Sequence, residues 1–428
     1  MRKVVIIEGT RTPFAKSGTD YADLMSYQLA SYAIKGLLIK TGIDPKLIDR
    51  VIMGNVISNI QTSNVAREAS LMAGIPYTSP CNTVTQACIS ANRAICDGYA
   101  EIAIGKADII IAGGVENSSD TPIGFRKPMR KKLFNAQKLR GIGDTLKFIF
   151  SLRPSDFYPE KPAIAEFLTG RTMGLDCDIL ASKWHASRAE QDIFAVRSHQ
   201  LAAAGFRDNI LQQEITEVSI APNFVPVKVD NGIRGDTSIE KMAGLKPAFD
   251  KKHGTLTAAN SSFLTDGAAC VLMMSEDKAL ELGYTPKASI YDYVFTGSDL
   301  ENELLLGPAY ATAKILTKNK MSLSDIDVFE YHEAFAGQII SNMNALNSDE
   351  FAREKLGLEK KIGTIPLDKM NIHGGSLSIG HPFGATGARL VTTAMNRLER
   401  ENGRFALIAA CAAGAHGNAI ILERYTKN

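Results

Sequence analysis

Two distant stretches of the chain carry one order of parts: a reactive side chain, a helix opening directly behind it, a short turn and a buried strand. In the first, Cys88 follows the extended run Thr83-Val84-Thr85. It precedes a helical pattern in which Ile89, Ala94, Ile95 and Ile102 recur at spacings a buried stripe uses, ending near Gly105. Residues 107–114 close that unit as a strand. In the second, residues 380–389 open a helix, the charged turn 399–404 follows, and 405–410 read as a strand. Either this is a duplicated fold with a site at the joint between halves, or two α/β units are alike by chance.

The flanking runs extend the rhythm. Residues 3–8 read as a strand before the turn Gly9-Thr10-Arg11-Thr12-Pro13, 24–40 as a helix, 48–55 as a strand and 62–73 as a helix. Later, 288–294 read as a first strand again, and 324–330 resemble 47–52. Strands alternating with helices predict an α/β fold with a largely parallel sheet. The expected division is an N-terminal half over 1–120, completed by about 246–285, and a C-terminal half over 286–428, with 121–245 inserted as a loop domain.

Within the insertion, residues 126–153 hold nine cations against one acid, Asp144, in a chain whose net charge is only +2. Leu133, Phe134, Ile142, Leu146, Ile149 and Phe150 are interleaved with them. A basic, amphipathic pair of helices there suits peripheral contact with an anionic membrane, cover over a phosphate-bearing ligand, an acidic partner, or a solvated surface.

The six cysteines include no Cys-x-x-Cys pair and none has a histidine at zinc-ligand spacing, so no metal site is expected. So few cysteines in 428 residues suit a reducing compartment. The apolar run after Met1-Arg2-Lys3 is too short for a signal-peptide core, and no run of about 18 apolar residues appears. The expectation is a cytoplasmic enzyme that does not bind nucleic acid.

At its helix start Cys88 sits among unpaired N–H groups and at the positive end of the helix dipole, both of which favour the thiolate. Spacing alone favours a buried structural cysteine. Three later motifs bear on the choice: Tyr331-His332-Glu333-Ala334-Phe335-Ala336-Gly337, Asn371-Ile372-His373-Gly374-Gly375-Ser376-Leu377-Ser378-Ile379-Gly380-His381-Pro382-Phe383-Gly384-Ala385-Thr386-Gly387, and Cys411-Ala412-Ala413-Gly414-Ala415-His416-Gly417-Asn418-Ala419. His185, His199 and His253 read as satisfied core residues, and His373 and His416 as structural.

Together with Gly254-Thr255-Leu256-Thr257-Ala258-Ala259-Asn260-Ser261-Ser262-Phe263-Leu264-Thr265-Asp266-Gly267-Ala268, these motifs resemble the thiolase family over nearly the whole chain. Within it, His332-Glu333-Ala334-Phe335 and the basic insertion are most similar to the β subunit of the fatty-acid-oxidation trifunctional complex. The resemblance implies the thiolase fold, two similar βαβαβαββ halves in α-β-α-β-α layers. It also implies a 3-ketoacyl-CoA thiolase, an acyltransferase of fatty-acid β-oxidation with coenzyme A as substrate and no bound cofactor. By it, Cys88 is the nucleophile, His381 activates thiols, and Cys411 is the second acid/base. His381 and His332 serve one oxyanion hole, the backbone N–H groups of Cys88 and Ala413 the other, and Ser262 contacts CoA.

The chemistry accounts for that inventory. A thiolate attacks the keto carbon to give a thioester that can be split again. The departing carbanion needs an acid, and two oxyanions need fixed donors. His332 stands where most thiolases have Asn, and Ala413 where Gly is common. The implied partners are CoA thioesters, further copies in a homodimer or homotetramer, and a hydratase/dehydrogenase α subunit. The alternatives are a biosynthetic acetoacetyl-CoA thiolase, a decarboxylating ketoacyl synthase, which would not need Cys411, and a non-catalytic lipid-binding or scaffold relative.

Overall fold

In β1 (Val4–Arg11), Val4 and Ile6 point into one apolar cluster while Val5 and Ile7 point into another. A strand buried on both faces must lie inside a stack of layers, and the remaining elements build that stack. The computed structural model describes residues 1–160, 162 and 164–427. After β1 come α1 (Ser26–Thr41), β2 (Arg50–Gly54), α2 (Val65–Met72), β3 (Cys81–Val84), α3 (Ser90–Ala103) and β4 (Ile109–Glu116). The excursion that follows holds α4 (Lys127–Ala136), α5 (Ile142–Ser151), α6 (Met173–Lys183) and α7 (Arg188–Arg207). The chain then returns as β5 (Thr265–Ser275) and β6 (Ala288–Gly297). It continues through α8 (Gly307–Asn319), β7 (Val328–Tyr331), α9 (Ala336–Leu346), α10 (Thr386–Arg400), β8 (Phe405–Ala412) and β9 (His416–Arg424).

The main strands form one sheet in the order β7-β8-β9-β6-β1-β5-β4-β2-β3, and the short strand Ala15–Lys16 pairs with β5. Its two halves meet where Val5 and Ile6 of β1 pair with Ser289 and Ala288 of β6. Outward from that joint, each half repeats the same pairings: antiparallel, antiparallel, then parallel. The first half ends on the parallel edge strand β3. In the second half a single parallel bridge, Phe329 to Met370, takes that place. A 3-10 turn, Pro45–Leu47 or Leu323–Asp325, precedes the corresponding strands β2 and β7.

The sheet is therefore mixed rather than largely parallel, while the likeness of 324–330 to 47–52 holds, each running from a 3-10 turn into the start of a strand. Only three residues separate β8 from β9, and a connection that short can join only antiparallel strands. Helix-strand alternation identifies the class but is silent about these last strands of each half.

Side-chain alternation sets the layers. Ile109, Ile111 and Val115 of β4 pack with α1 and α2, while Ile110 and Ala112 face the centre. Leu407 and Ala409 of β8 pack with α8 and α9, while Ala406 and Ile408 face the centre. Between the two faces lie α3 and α10. Helices α6 and α7 pack on α9, so part of the insertion shares a core with the second half.

Helix α10 is buried from Thr386 to Leu398 although half its side chains are polar. Buried polar groups need partners. Thr392 donates to the Ala388 carbonyl at 2.8 Å and Thr393 to Glu214 at 3.0 Å, while Arg397 pairs with Glu330 at 2.9 Å. The helix meets α3 at Gly387, where a Cβ would overlap the side chain of Asn92. Asn92 donates in turn to Asn418 Oδ1 on β9 at 2.8 Å, tying the first half to the second.

Gly387→Ala is accordingly expected to cost about 2 kcal/mol or more through overpacking, lowering the thermal midpoint by several degrees. Thermal denaturation followed by circular dichroism measures it; an unchanged midpoint would show that the helices do not depend on this close approach.

Candidate active site

Cys88 stands in the turn from β3 to α3, directly after Ala87, whose φ of +46° is left-handed for a residue with a Cβ. His381 stands ahead of α10 in a turn held at three points. Its backbone N–H donates to Thr265 Oγ1 at 3.0 Å, and its ring Nδ1 lies 2.7 Å from Thr386 Oγ1. The Gly384 N–H donates to Glu116 Oε2 at 3.0 Å. Buried Glu116 also takes N–H groups of Val56 and Ile57, so one carboxylate fixes loops from both halves.

His332 follows β7, fully buried, with Nδ1 3.0 Å from Ser376 Oγ. Its ring centroid is 4.0 Å from that of His381. The Cys88 thiol and the nearer nitrogens of both imidazoles lie within 4.8 Å of one another, a soft-ligand set that only the fold assembles. Cys411 lies at the end of β8 and Ala413 directly after it. The Ala413 and Cys88 N–H groups lie near enough to the Cys88 sulfur to ease its ionisation. Cys88, His381, Cys411, Ala413 and Ser262 all line one cavity of about 280 Å³. His332 sits behind His381 rather than on the cavity wall. A second cavity of about 450 Å³ meets the first at Cys88 and is walled by Val56, Ile57, Ile123 and Ile164.

Burial controls the charges here. It pushes the Cys88 thiol up to about 12; the two N–H donors pull it down by less, and Glu116 adds to the rise. The expectation that a helix start would favour the thiolate is therefore reversed, because desolvation outweighs the dipole. Cys411 is likewise held as a thiol by burial and by its proximity to Cys88. His381 falls to about 3 and His332 falls well below its ordinary value, both through burial and both next to the Arg389 charge. The resting site is two thiols and two neutral imidazoles.

Ser376 and Thr386, which hold the two imidazoles, stand inside motifs the sequence singles out, but nothing in the spacing gives them a task. Thr265 stands in the block 254–268, again with no task given by spacing, and Glu116 carries no sequence signal. Of the discounted histidines, His199 is buried and accepts the Arg234 N–H at 3.2 Å. His185 and His253 are exposed, so core satisfaction does not describe them. His373 lies 3.4 Å from Arg400, and neither it nor His416 lines the two cavities at Cys88.

Comparison with known proteins agrees with this geometry. Residues 4–277 match the thiolase N-terminal domain and 284–424 the thiolase C-terminal domain. The chain is 50% identical to the mitochondrial trifunctional enzyme subunit beta of Homo sapiens, over 100% of this chain and 90% of that protein. It is 47% identical to the probable 3-ketoacyl-CoA thiolase of Caenorhabditis elegans, over 100% and 95%. It superposes on the acetyl-CoA acetyltransferase of Bacillus anthracis with a TM-score of 0.84, at 30% identity, covering 99% of both chains. The chain belongs to the thiolase family and has the thiolase fold.

A thiol held near 12 is protonated at neutral pH, and its thiolate fraction rises about tenfold per pH unit. Iodoacetamide should therefore alkylate Cys88 in the free enzyme at a rate that climbs from pH 7 to 9 without a plateau, as followed by peptide mass spectrometry. Saturation below pH 8 would contradict the neutral resting state.

Proposed function

We propose that this chain is a 3-ketoacyl-CoA thiolase that cleaves a 3-oxoacyl-CoA with CoA, giving acetyl-CoA and an acyl-CoA two carbons shorter, as in fatty-acid β-oxidation. One observation carries the reading: the Cys88 and Cys411 sulfurs and the His381 imidazole line one cavity beside Ala413.

His381 takes the Cys88 proton, and the thiolate attacks the keto carbon. The Cys88 and Ala413 N–H groups receive the oxyanion. The bond between C2 and C3 then breaks. The enolate of acetyl-CoA, held by His381 and His332, takes a proton from Cys411. CoA enters past Ser262 and attacks the acyl-Cys88 thioester while the Cys411 thiolate removes its proton. Cys88 leaves as a thiolate and recovers its own proton from His381. No bound cofactor takes part, and coenzyme A is a substrate.

The second cavity, apolar and open at Cys88, receives the acyl chain, which favours medium or long substrates over four-carbon ones. The Bacillus anthracis neighbour keeps acetoacetyl-CoA synthesis as the rival reading, since the fold is common to both. The identities of 50% and 47% lie with the degradative side.

The human relative is named as subunit beta of a trifunctional enzyme, which supports association of this chain with a second kind of subunit; the proposed partner is a hydratase/dehydrogenase subunit, beside further copies of this chain. Helices α4 and α5 supply a second contact surface. Phe134, Ile142 and Phe150 are exposed on them among the cations, and Met129 is their one buried residue. That arrangement fits the surface of an anionic bilayer. Among the described residues no helix is long and apolar enough to cross a membrane. Six free cysteines suit a reducing compartment such as the cytoplasm. The human relative is named mitochondrial, and cell fractionation distinguishes the two.

CoA-dependent thiolysis of a four-carbon and a sixteen-carbon 3-oxoacyl-CoA tests the reaction. The longer substrate should be cleaved, with a loss of at least about a thousandfold in Cys88→Ala. Activity confined to the four-carbon substrate would favour the biosynthetic reading; none that depends on Cys88 would remove the assignment. Co-sedimentation with anionic vesicles, abolished by Ile142→Asp with Phe150→Asp, tests the membrane surface, and binding that survives both changes would refute it.

A further inference from the structure

His332 and His381 are neighbouring imidazoles, both essentially closed to solvent, and the hydroxyl partner of one of them decides where that ring carries its proton. Thr386 Oγ1 lies 2.7 Å from His381 Nδ1 and 3.0 Å from the Pro382 carbonyl oxygen. That carbonyl also accepts the Ala385 and Thr386 N–H groups at 2.9 and 3.0 Å, so the threonine hydroxyl can serve His381 Nδ1 as donor or as acceptor and fixes no tautomer there.

Ser376 leaves no such choice. Arg389 Nη2 donates to Ser376 Oγ at 3.1 Å, and a guanidinium can do nothing but donate. Among the described residues the serine hydrogen has one acceptor within reach, His332 Nδ1 at 3.0 Å. His332 therefore carries its proton on Nε2, which is buried and has no partner among the described residues. Arg389 is fully buried and is kept charged in this place by Glu330 Oε2 at 3.6 Å.

We infer that Ser376 and Arg389 are positioning residues that lock His332 as an Nε2–H donor. His332 is thereby a fixed hydrogen-bond donor beside the base His381. The inference rests on the thiolase reading of the site. It explains how one pocket can both remove a proton from Cys88 and hold a ready donor for the enolate oxygen that forms when the C2–C3 bond breaks. A donor whose tautomer is preset needs no rearrangement as charge develops. It also gives His332 a function that an Asn amide supplies without help, since an amide has no tautomer to fix.

That difference supplies the test. Ser376→Ala in the otherwise wild-type enzyme should lower kcat for thiolysis about tenfold or more with little change in KM, because the imidazole is freed to adopt the other tautomer. In a His332→Asn background the same change should cost less than about twofold. Equal losses in both backgrounds, or no loss in the first, would overturn the inference. The nitrogen-15 spectrum of histidine-labelled protein reads the tautomer without turnover: His332 should show a protonated Nε2 and a bare Nδ1 in the wild type, and lose that preference in Ser376→Ala. A protonated Nδ1 on His332 in the wild type would refute the assignment even if the enzyme is an active thiolase. An enzyme with no thiolysis but with this spectrum would instead refute the reaction and keep the tautomer.

Discussion

The close approach of α3 and α10 is the contact on which the site depends. Each helix starts beside a reactive side chain, Cys88 or His381, and each comes from a different half of the chain. Their separation at Gly387 and Asn92 therefore fixes how far the thiol lies from the imidazole. The surrounding polar groups reinforce that spacing. Asn92 reaches Asn418 on β9, and Glu116 on β4 holds Gly384 next to the histidine turn. Arg397 ties α10 to Glu330 on β7. Removing one partner from such a buried network leaves a charge or amide uncompensated, which costs far more than an exposed pair would.

Burial then decides the chemistry. A water-excluded site disfavours every charged form, so the thiols stay protonated and the imidazoles neutral until substrate arrives. Charge appears only as bonds change, and it appears where the N–H groups of Cys88 and Ala413 and the ring of His332 already point. The helix dipole behind Cys88 contributes, but against desolvation it is the smaller effect.

How much of this could be read from the sequence follows from which physical effects are local. The elements around Cys88 and the paired helices of 126–153 were legible because apolar spacing reports them directly. The residues that the fold gathers around one cavity, Cys88, His381 and Cys411, were legible because their motifs resemble a family whose chemistry needs them. The antiparallel strands of each half were not, since alternation of helix and strand says nothing about sheet order. Nor was the burial of α10: Thr392, Thr393, Arg389 and Arg397 look like a solvated face until Glu214 and Glu330 are brought to them from distant segments. The protonation of Cys88 was misjudged for the same reason, because desolvation is a property of the assembled layers. Ser376 and Thr386 lay inside noticed motifs, but a hydroxyl's task is set by what it touches.

The account's central claim is an acyl group carried on Cys88 between two halves of one reaction, and intact-protein mass spectrometry tests it most directly. Mixed with 3-oxohexadecanoyl-CoA and no free CoA, the enzyme should release about one acetyl-CoA per active site and gain the mass of a tetradecanoyl group. Peptide mapping should place that group on Cys88, and added CoA should remove it. Acetyl-CoA release with no adduct, or an adduct on another residue, would contradict the mechanism derived from this site.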